Sequence, residues 1–292
     1  MKLVPTVASL LSIGAAAPHP TPATRPPAPD TRYPRPHQSP SYEVYAIRYA
    51  VLPHYPVAGL VAGADTTRYI DVPLLIWLSR GQGRVVLVDA GCYREKFVER
   101  WRLRDYVKPS LAIAPLGIKP EEVTDIIVSH PHWDHVDGVD LFPKARVWMQ
   151  REEWQYYSDS SRAKGAPGVD SVDLVMLKEI ERSGRLRLAP GDAQEIIPGI
   201  TVYTGGRHTW QSQYAAVRSG GATVVLASDN LYLYENLDRG RPIAATFDSV
   251  SNLRAHQRMV SLASERKYVI PGHDPEILTR FPAVAPGIVR IH

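Results

Sequence analysis

Residues 129–135 read Ser-His-Pro-His-Trp-Asp-His, three imidazoles and a carboxylate within six residues, directly after the short apolar run Thr124–Ser129. A run of that kind is consistent with a buried strand, so the fold must deliver four polar side chains to the end of a core element. Neutral imidazole and carboxylate are ligands for zinc and its chemical neighbours, with bonds of about 2.0–2.2 Å. In extended backbone, side chains two apart point the same way. His130 and His132 can then reach one ion while Asp134 and His135 turn towards a second. The chain has ten histidines in 292 residues, which makes chance clustering on a surface loop the weaker account, and His/Asp clusters at ligand spacing are a metal signature.

Four residues cannot fill two metal shells. Three further candidates each stand just past an expected strand: His208 after Thr204-Gly205-Gly206-Arg207, Asp229 after the run Thr223–Ser228, and His273 after Val269-Ile270-Pro271-Gly272. Taken singly, each reads as structural. Their shared placement favours a functional role, because functional side chains gather on loops held by a rigid scaffold.

The remaining pattern is of strands and helices in two halves. Tyr42–Ala50, Tyr69–Leu78, Arg84–Asp89, Ala145–Met149, Glu195–Tyr203 and Lys267–Ile270 read as strands, and Gln213–Arg218 with Ala222–Ala227 as a hairpin around Ser219-Gly220-Gly221. Helices are expected at Tyr93–Arg102, Pro109–Leu116, Arg151–Tyr157, Ser171–Arg182 and Ser249–Arg266. Residues 158–169, rich in Ser, Ala, Gly and Pro, read as a mobile insertion. Helices outside two sheets follow as the expected layering.

Before this region the chain is different. Met1-Lys2 precedes an apolar run, Leu3–Ala17, that ends in small residues and resembles a secretory signal. Residues 1–17 are thus expected to be a signal peptide, for a periplasmic or secreted protein, or a cytoplasmic one if the leader is retained. Proline recurs from Pro18 to Pro40, removing backbone donors and fixing φ, so 18–41 reads as an extended linker and 42–292 as the folded domain. No stretch is long and apolar enough for a membrane span. The net charge of +4 comes with basic residues scattered among acidic ones, which argues against a nucleic-acid partner. Cys92 is the one cysteine; it cannot form an intramolecular disulfide and reads as a small buried apolar residue.

On its intact His-x-His-x-Asp-His motif at 130–135, the chain from about Tyr42 onward resembles the metallo-β-lactamase superfamily. The resemblance implies an α/β fold, the αββα four-layer sandwich. It also implies two divalent metal ions per chain, with zinc the expected metal. One ion would sit on His130, His132 and His208 and the other on Asp134, His135 and His273, with Asp229 bridging. Val88-Asp89-Ala90-Gly91 resembles the family's Asp-Thr-Gly turn, alanine replacing threonine, and Asp89 would shape the ligand loop.

Within the superfamily, Asp229 disfavours the true β-lactamases and His132 the flavodiiron-type members. Tyr232, three residues after Asp229, and Gly272-His273-Asp274 resemble the N-acyl homoserine lactonases. In that family the corresponding tyrosine contacts the substrate carbonyl and ring oxygen, although plain packing of Tyr232 is an equal alternative. The function implied is opening of an acyl homoserine lactone ring (quorum quenching) by a metal-bridging hydroxide, with Asp134 taking the proton. An arylesterase, phosphotriesterase or thioesterase with the same metal centre is the alternative, and a nucleic-acid processing protein a more distant one. The partner expected is a small lactone or ester. The apolar loop Val57–Gly63 fits a pocket wall, a homodimer contact or an ordinary buried loop.

Overall fold

The computed structural model describes Met1 and residues 40–292; the leader read at 1–17, save Met1, and nearly all of the proline-rich stretch at 18–41 lie outside the described residues. The chain opens with three antiparallel strands, β1 (Glu43–Pro56), β2 (Tyr69–Gly81) and β3 (Arg84–Val88). It continues in parallel through β4 (Asp125–Ile127), β5 (Arg146–Gln150) and β6 (Leu186–Ala189). A second sheet holds β7 (Gln194–Ile197), β8 (Ile200–Thr204), β9 (Gln213–Ser219), β10 (Ala222–Ser228) and β11 (Val269–Pro271). The last strands, β12 (Ala283–Ala285) and β13 (Ile288–Arg290), return to the first sheet beside β1.

Side chains alternate across a strand, so each sheet has two faces to bury. Val44, Ala46, Trp77, Val86 and Ile127 face Val202, Val217, Val224 and Leu226 of the second sheet in one cluster. The opposite face of the first sheet, with Ile47, Ile76, Leu87 and Ile126, packs under helical segments through Phe97, Ile113 and Leu177. On the far side Tyr214, Ala216 and Val225 meet Ala255 and Met259 of the helix Ser249–Leu262. Burying a side chain such as Leu87 or Ile126 contributes about 1.5–3 kcal/mol, and both strand faces are covered this way. The layers run helix, sheet, sheet, helix, the expected αββα sandwich.

Two expectations need correcting. The single strand expected at Glu195–Tyr203 is a hairpin, β7 and β8, turned at Pro198-Gly199 with Gly199 at φ +85. Residues 158–169 are docked: Ser160–Ala163 forms one helical turn capped by Asp159, Gly168 accepts a hydrogen bond from the Trp133 N–H (3.0 Å), and Val169 bridges to His132. Gly168 is where the absence of a side chain permits the approach, since an added Cβ would stand 2.7 Å from His132 Cδ2. In the loop Val57–Gly63, Val57, Leu60 and Val61 are buried and share a cluster with Tyr232, while Gly63 is exposed. Cys92 is fully buried, as expected. No described helix is long and apolar enough to cross a membrane.

What matters for function is strand direction. β3 and β4 are parallel, and β8, β10 and β11 run one way because β9 is antiparallel to its neighbours β8 and β10 while β11 is parallel to β10. The residues singled out in the sequence therefore leave the sheets at carboxyl ends, where α/β sheets place their ligands.

Candidate metal centre

Five imidazoles and two carboxylates converge at this edge. His130, His132, His208 and Asp229 bring ligand atoms within 4.8 Å of one another, and so do Asp134, His135 and His273. The two groups adjoin through Asp229. Its Oδ2 lies 3.3 Å from His208 Nε2 and 3.6 Å from His130 Nε2, while its Oδ1 lies 3.1 Å from His135 Nε2 and 2.9 Å from His273 Nε2. Each oxygen of one carboxylate thus faces a different group.

For four of the five rings an outer hydrogen bond fixes which nitrogen points inward. Carbonyl and carboxylate oxygens only accept, so a ring nitrogen bonded to one carries the proton. His208 Nδ1 donates to the Ala245 carbonyl (2.8 Å), His273 Nδ1 to the Pro73 carbonyl (3.1 Å) and His135 Nδ1 to Asp89 (2.8 Å). Asp89 also accepts from the Ser129 N–H and from the hydroxyls of Ser129 and Ser228. With its proton committed to Asp89, Ser129 Oγ accepts from His130 Nδ1 at 2.9 Å. Four rings therefore turn an Nε2 lone pair to the centre, and His132 turns Nδ1, 3.0 Å from His208 Nε2. Such outer partners orient ligands and fix their tautomers.

Whether an ion fits can be judged from these atoms. Ligand bonds of about 2.1 Å in a tetrahedron put neighbouring donors about 3.4 Å apart. The observed separations around Asp229 run from 2.9 to 3.6 Å. His130 Nε2 and His135 Nε2 are buried with no hydrogen-bond partner, a costly state for a polar atom unless something else coordinates it. The donor set fits divalent metal.

Titration tells the same story from the other side. Burial, then neighbouring rings, hold His130 well below the usual imidazole range, and burial with His208 pushes His132 down to about 3. Burial also opposes the charge on His135 and His273, but Asp229 foremost raises both above the usual value. Burial would raise Asp229, yet His135 and His273 keep it well below the carboxylate range. The carboxylates that favour a proton on those two rings are equally placed to attract a cation.

The backbone is strained where it delivers these groups. Asp89 (φ 60), Arg207 (φ 43) and Ser228 (φ 47) adopt left-handed conformations immediately after β3, before His208 and at the end of β10. Such non-glycine residues cost about 1–3 kcal/mol each and cluster at functional sites. Gly206, at φ +93, could not be replaced without collision, as an added Cβ would stand 2.4 Å from Asn230 Oδ1.

With this geometry in place, the family assignment follows from a match of the metallo-beta-lactamase superfamily model to residues 71–273. The chain belongs to the metallo-β-lactamase superfamily. Among its relatives in the superfamily is the N-acyl homoserine lactonase of Bacillus cereus, 24% identical over 225 residues, covering 71% of this chain and 83% of its own length. The N-acyl homoserine lactonase AiiB of Agrobacterium fabrum is 29% identical over 237 residues, 72% of this chain and 83% of its own. The solved structure of a quorum-quenching N-acyl homoserine lactone lactonase superposes with a TM-score of 0.69 at 19% identity, over 86% of this chain and 99% of that one. The αββα architecture is the superfamily's.

Every site residue expected from sequence lies at this edge, including Asp89 behind the ligands and Tyr232 beside them. Tyr232 sits between the rings of His208 and His273, with centroids 5.6 and 5.9 Å away. Sequence reasoning missed Glu153. It is buried in the helix Arg151–Tyr157 and accepts hydrogen bonds from the Thr209 hydroxyl and the Gln211 N–H, fastening the loop that carries His208. One more acid on a short helix carries no signal of that role. The docking of Gly168 over His132 was equally silent.

Proposed function

We propose that this superfamily member is a dinuclear metal-dependent hydrolase that opens the lactone ring of N-acyl homoserine lactones. The observation that carries the reading is the division of Asp229 between two ligand groups, in a chain whose curated relatives bear the name N-acyl homoserine lactonase. His130, His132 and His208 would hold one ion and Asp134, His135 and His273 the other, with Asp229 shared. Zinc suits imidazole and carboxylate donors. Bound ions supply water activation at neutral pH and polarisation of the substrate carbonyl.

The chain's own groups do the rest. Burial, followed by Asp229, Tyr55 and Asp134, holds the Tyr232 phenol well above its usual pKa, so it stays protonated. His208 Nδ1–H, already given to Ala245, lies 3.3 Å from the Tyr232 oxygen and approaches it as a donor. The phenolic proton is left uncommitted and can be donated to the carbonyl oxygen as charge develops there. Burial would raise Asp134, but His135 lowers it, and the carboxylate side chain is 13% exposed against 1% for His135 and 6% for Asp229. That openness suits Asp134 to accept the proton of the attacking water and return it to the leaving alkoxide.

The test is metal analysis with a small substrate panel. About two metals per chain and chelator-sensitive opening of an acyl homoserine lactone, read as proton release, are expected. Faster turnover of an aryl ester or phosphotriester than of the lactone would move the assignment to that class. Tyr232→Phe should retain metal and lower lactone kcat by about 100-fold, the scale of losing one oxyanion donor; unchanged kcat would remove the phenol from the mechanism.

A further inference from the structure

The metal centre opens into a cavity of about 450 Å³ whose floor includes His132 and His208. Residues 156–167 form one side, contributing Tyr156, Ala166 and Pro167, and Phe247 stands on the other, 65% exposed. Among the described residues lining it, the charged side chains are Arg162 and Lys164, and no carboxylate joins them. An apolar passage ending in two cations is a specific chemical shape.

Arg162 is held in place by stacking. Its guanidinium lies 5.6 Å from the Tyr156 ring, Tyr156 stacks on Trp210 at 4.4 Å, and the Arg207 guanidinium lies 5.0 Å from the Trp210 ring. Planar guanidinium on an aromatic face keeps its N–H edge free for an anion. The neighbouring Asp159 pairs with Arg162 at 3.6 Å, Oδ2 to Nε, while its other oxygen caps Ser161. Lys164 has no ion pair among the described residues.

We propose that this cavity selects acyl lactones whose chain ends in a carboxylate, the apolar stem lying between Phe247 and Pro167 and the anion meeting Arg162 and Lys164. The proposal deepens the lactonase reading and rests on it. An uncharged acyl chain would fill the same passage but leave the two cations to water.

The experiment compares N-hexanoyl homoserine lactone with its counterpart carrying a terminal carboxylate on a six-carbon acyl chain, using the full metal-loaded chain. The carboxylate substrate should be favoured roughly tenfold, through KM, which is the size two solvent-facing ion pairs support. That ratio should fall towards one in the double variant Arg162→Gln/Lys164→Gln and in high salt, where such pairs are screened. A wild-type ratio of one or below, or a ratio the double variant and salt leave untouched, overturns the proposal. If neither lactone is opened, the lactonase reading fails separately. Calorimetric titration of the two ring-opened products against wild type and double variant then decides the cavity: equal affinities in the wild type overturn it, and a carboxylate preference lost in the variant upholds it.

Discussion

The metal centre, which floors the cavity through His132 and His208, and the cavity's outer side are built differently. On the floor, four of the five imidazoles have an outer nitrogen bonded to a carbonyl, a carboxylate or a serine, and the groups leave the ends of β4, β8, β10 and β11. The outer side, residues 158–169, consists of one helical turn and a few backbone contacts, with Arg162 and Lys164 exposed at its crest. Coordination needs donors placed to within tenths of an ångström, and side chains set at strand ends and tied from behind meet that need. Choosing a substrate tail needs shape and charge, which a short docked loop can supply. The two regions should therefore fail in different ways when altered.

The largest effect should come from the floor. Asp229→Ala removes the one carboxylate both groups share, and the fall in metal content and activity should exceed the 100-fold or so that losing an outer hydrogen-bond partner costs. Metal analysis of the purified variant checks it; two retained ions would break the bridging assignment. Next is Asp89→Asn. Asp89 gathers four hydrogen bonds from Ser129, Ser228 and His135, and an amide cannot accept all of them. Metal affinity should fall by about 10–100-fold, with the cavity's choice between substrate tails unchanged.

This contrast also explains what the sequence revealed. The floor was legible because His and Asp at ligand spacing have few other uses, and because each of His208, Asp229 and His273 followed a recognisable strand. The sandwich was legible from apolar runs such as those of β3 and β10, whose residues must be covered on both faces. The segment 158–169 was not, since Ser, Ala, Gly and Pro read as a loose loop whether or not a histidine lies against them. Pro198-Gly199 was passed over within an apolar run, although a Gly at φ +85 is where a hairpin turns. Glu153 was invisible because burial is decided by the loop folded over it.

Glu153, which fastens the loop carrying His208, provides a pH test. Burial, opposed by Thr209, the Gln211 N–H and Arg207, pushes its carboxyl up to about 7 from an unfolded value of 4.5. A raised acid pKa means the folded state binds the proton more tightly than the unfolded chain. Its destabilising effect is absent below pH 4.5, grows as pH climbs towards about 7, and is constant above. The full difference is about 3 kcal/mol. Glu153→Gln mimics the protonated form, so its stability relative to wild type should rise by up to that amount between about pH 5 and 8. Parallel denaturation curves across this range would mean the acid titrates as an exposed one does.

The smallest effect tests the contact between floor and outer side. Gly168 stands at φ +75, and an added Cβ would lie 2.7 Å from His132 Cδ2, well inside contact distance. The left-handed conformation alone costs an alanine about 1–2 kcal/mol. To relieve the overlap, either the segment lifts or the His132 ring shifts, and these outcomes read differently. A lifted segment lowers Tm by a few degrees and alters KM while metal content holds; a shifted ring lowers metal affinity as well. The docked segment is the softer partner, having no sheet behind it, so Gly168→Ala should act mainly on KM. Unchanged Tm and KM together would show that residues 158–169 do not rest on His132 in solution, and the floor would then stand without its outer side.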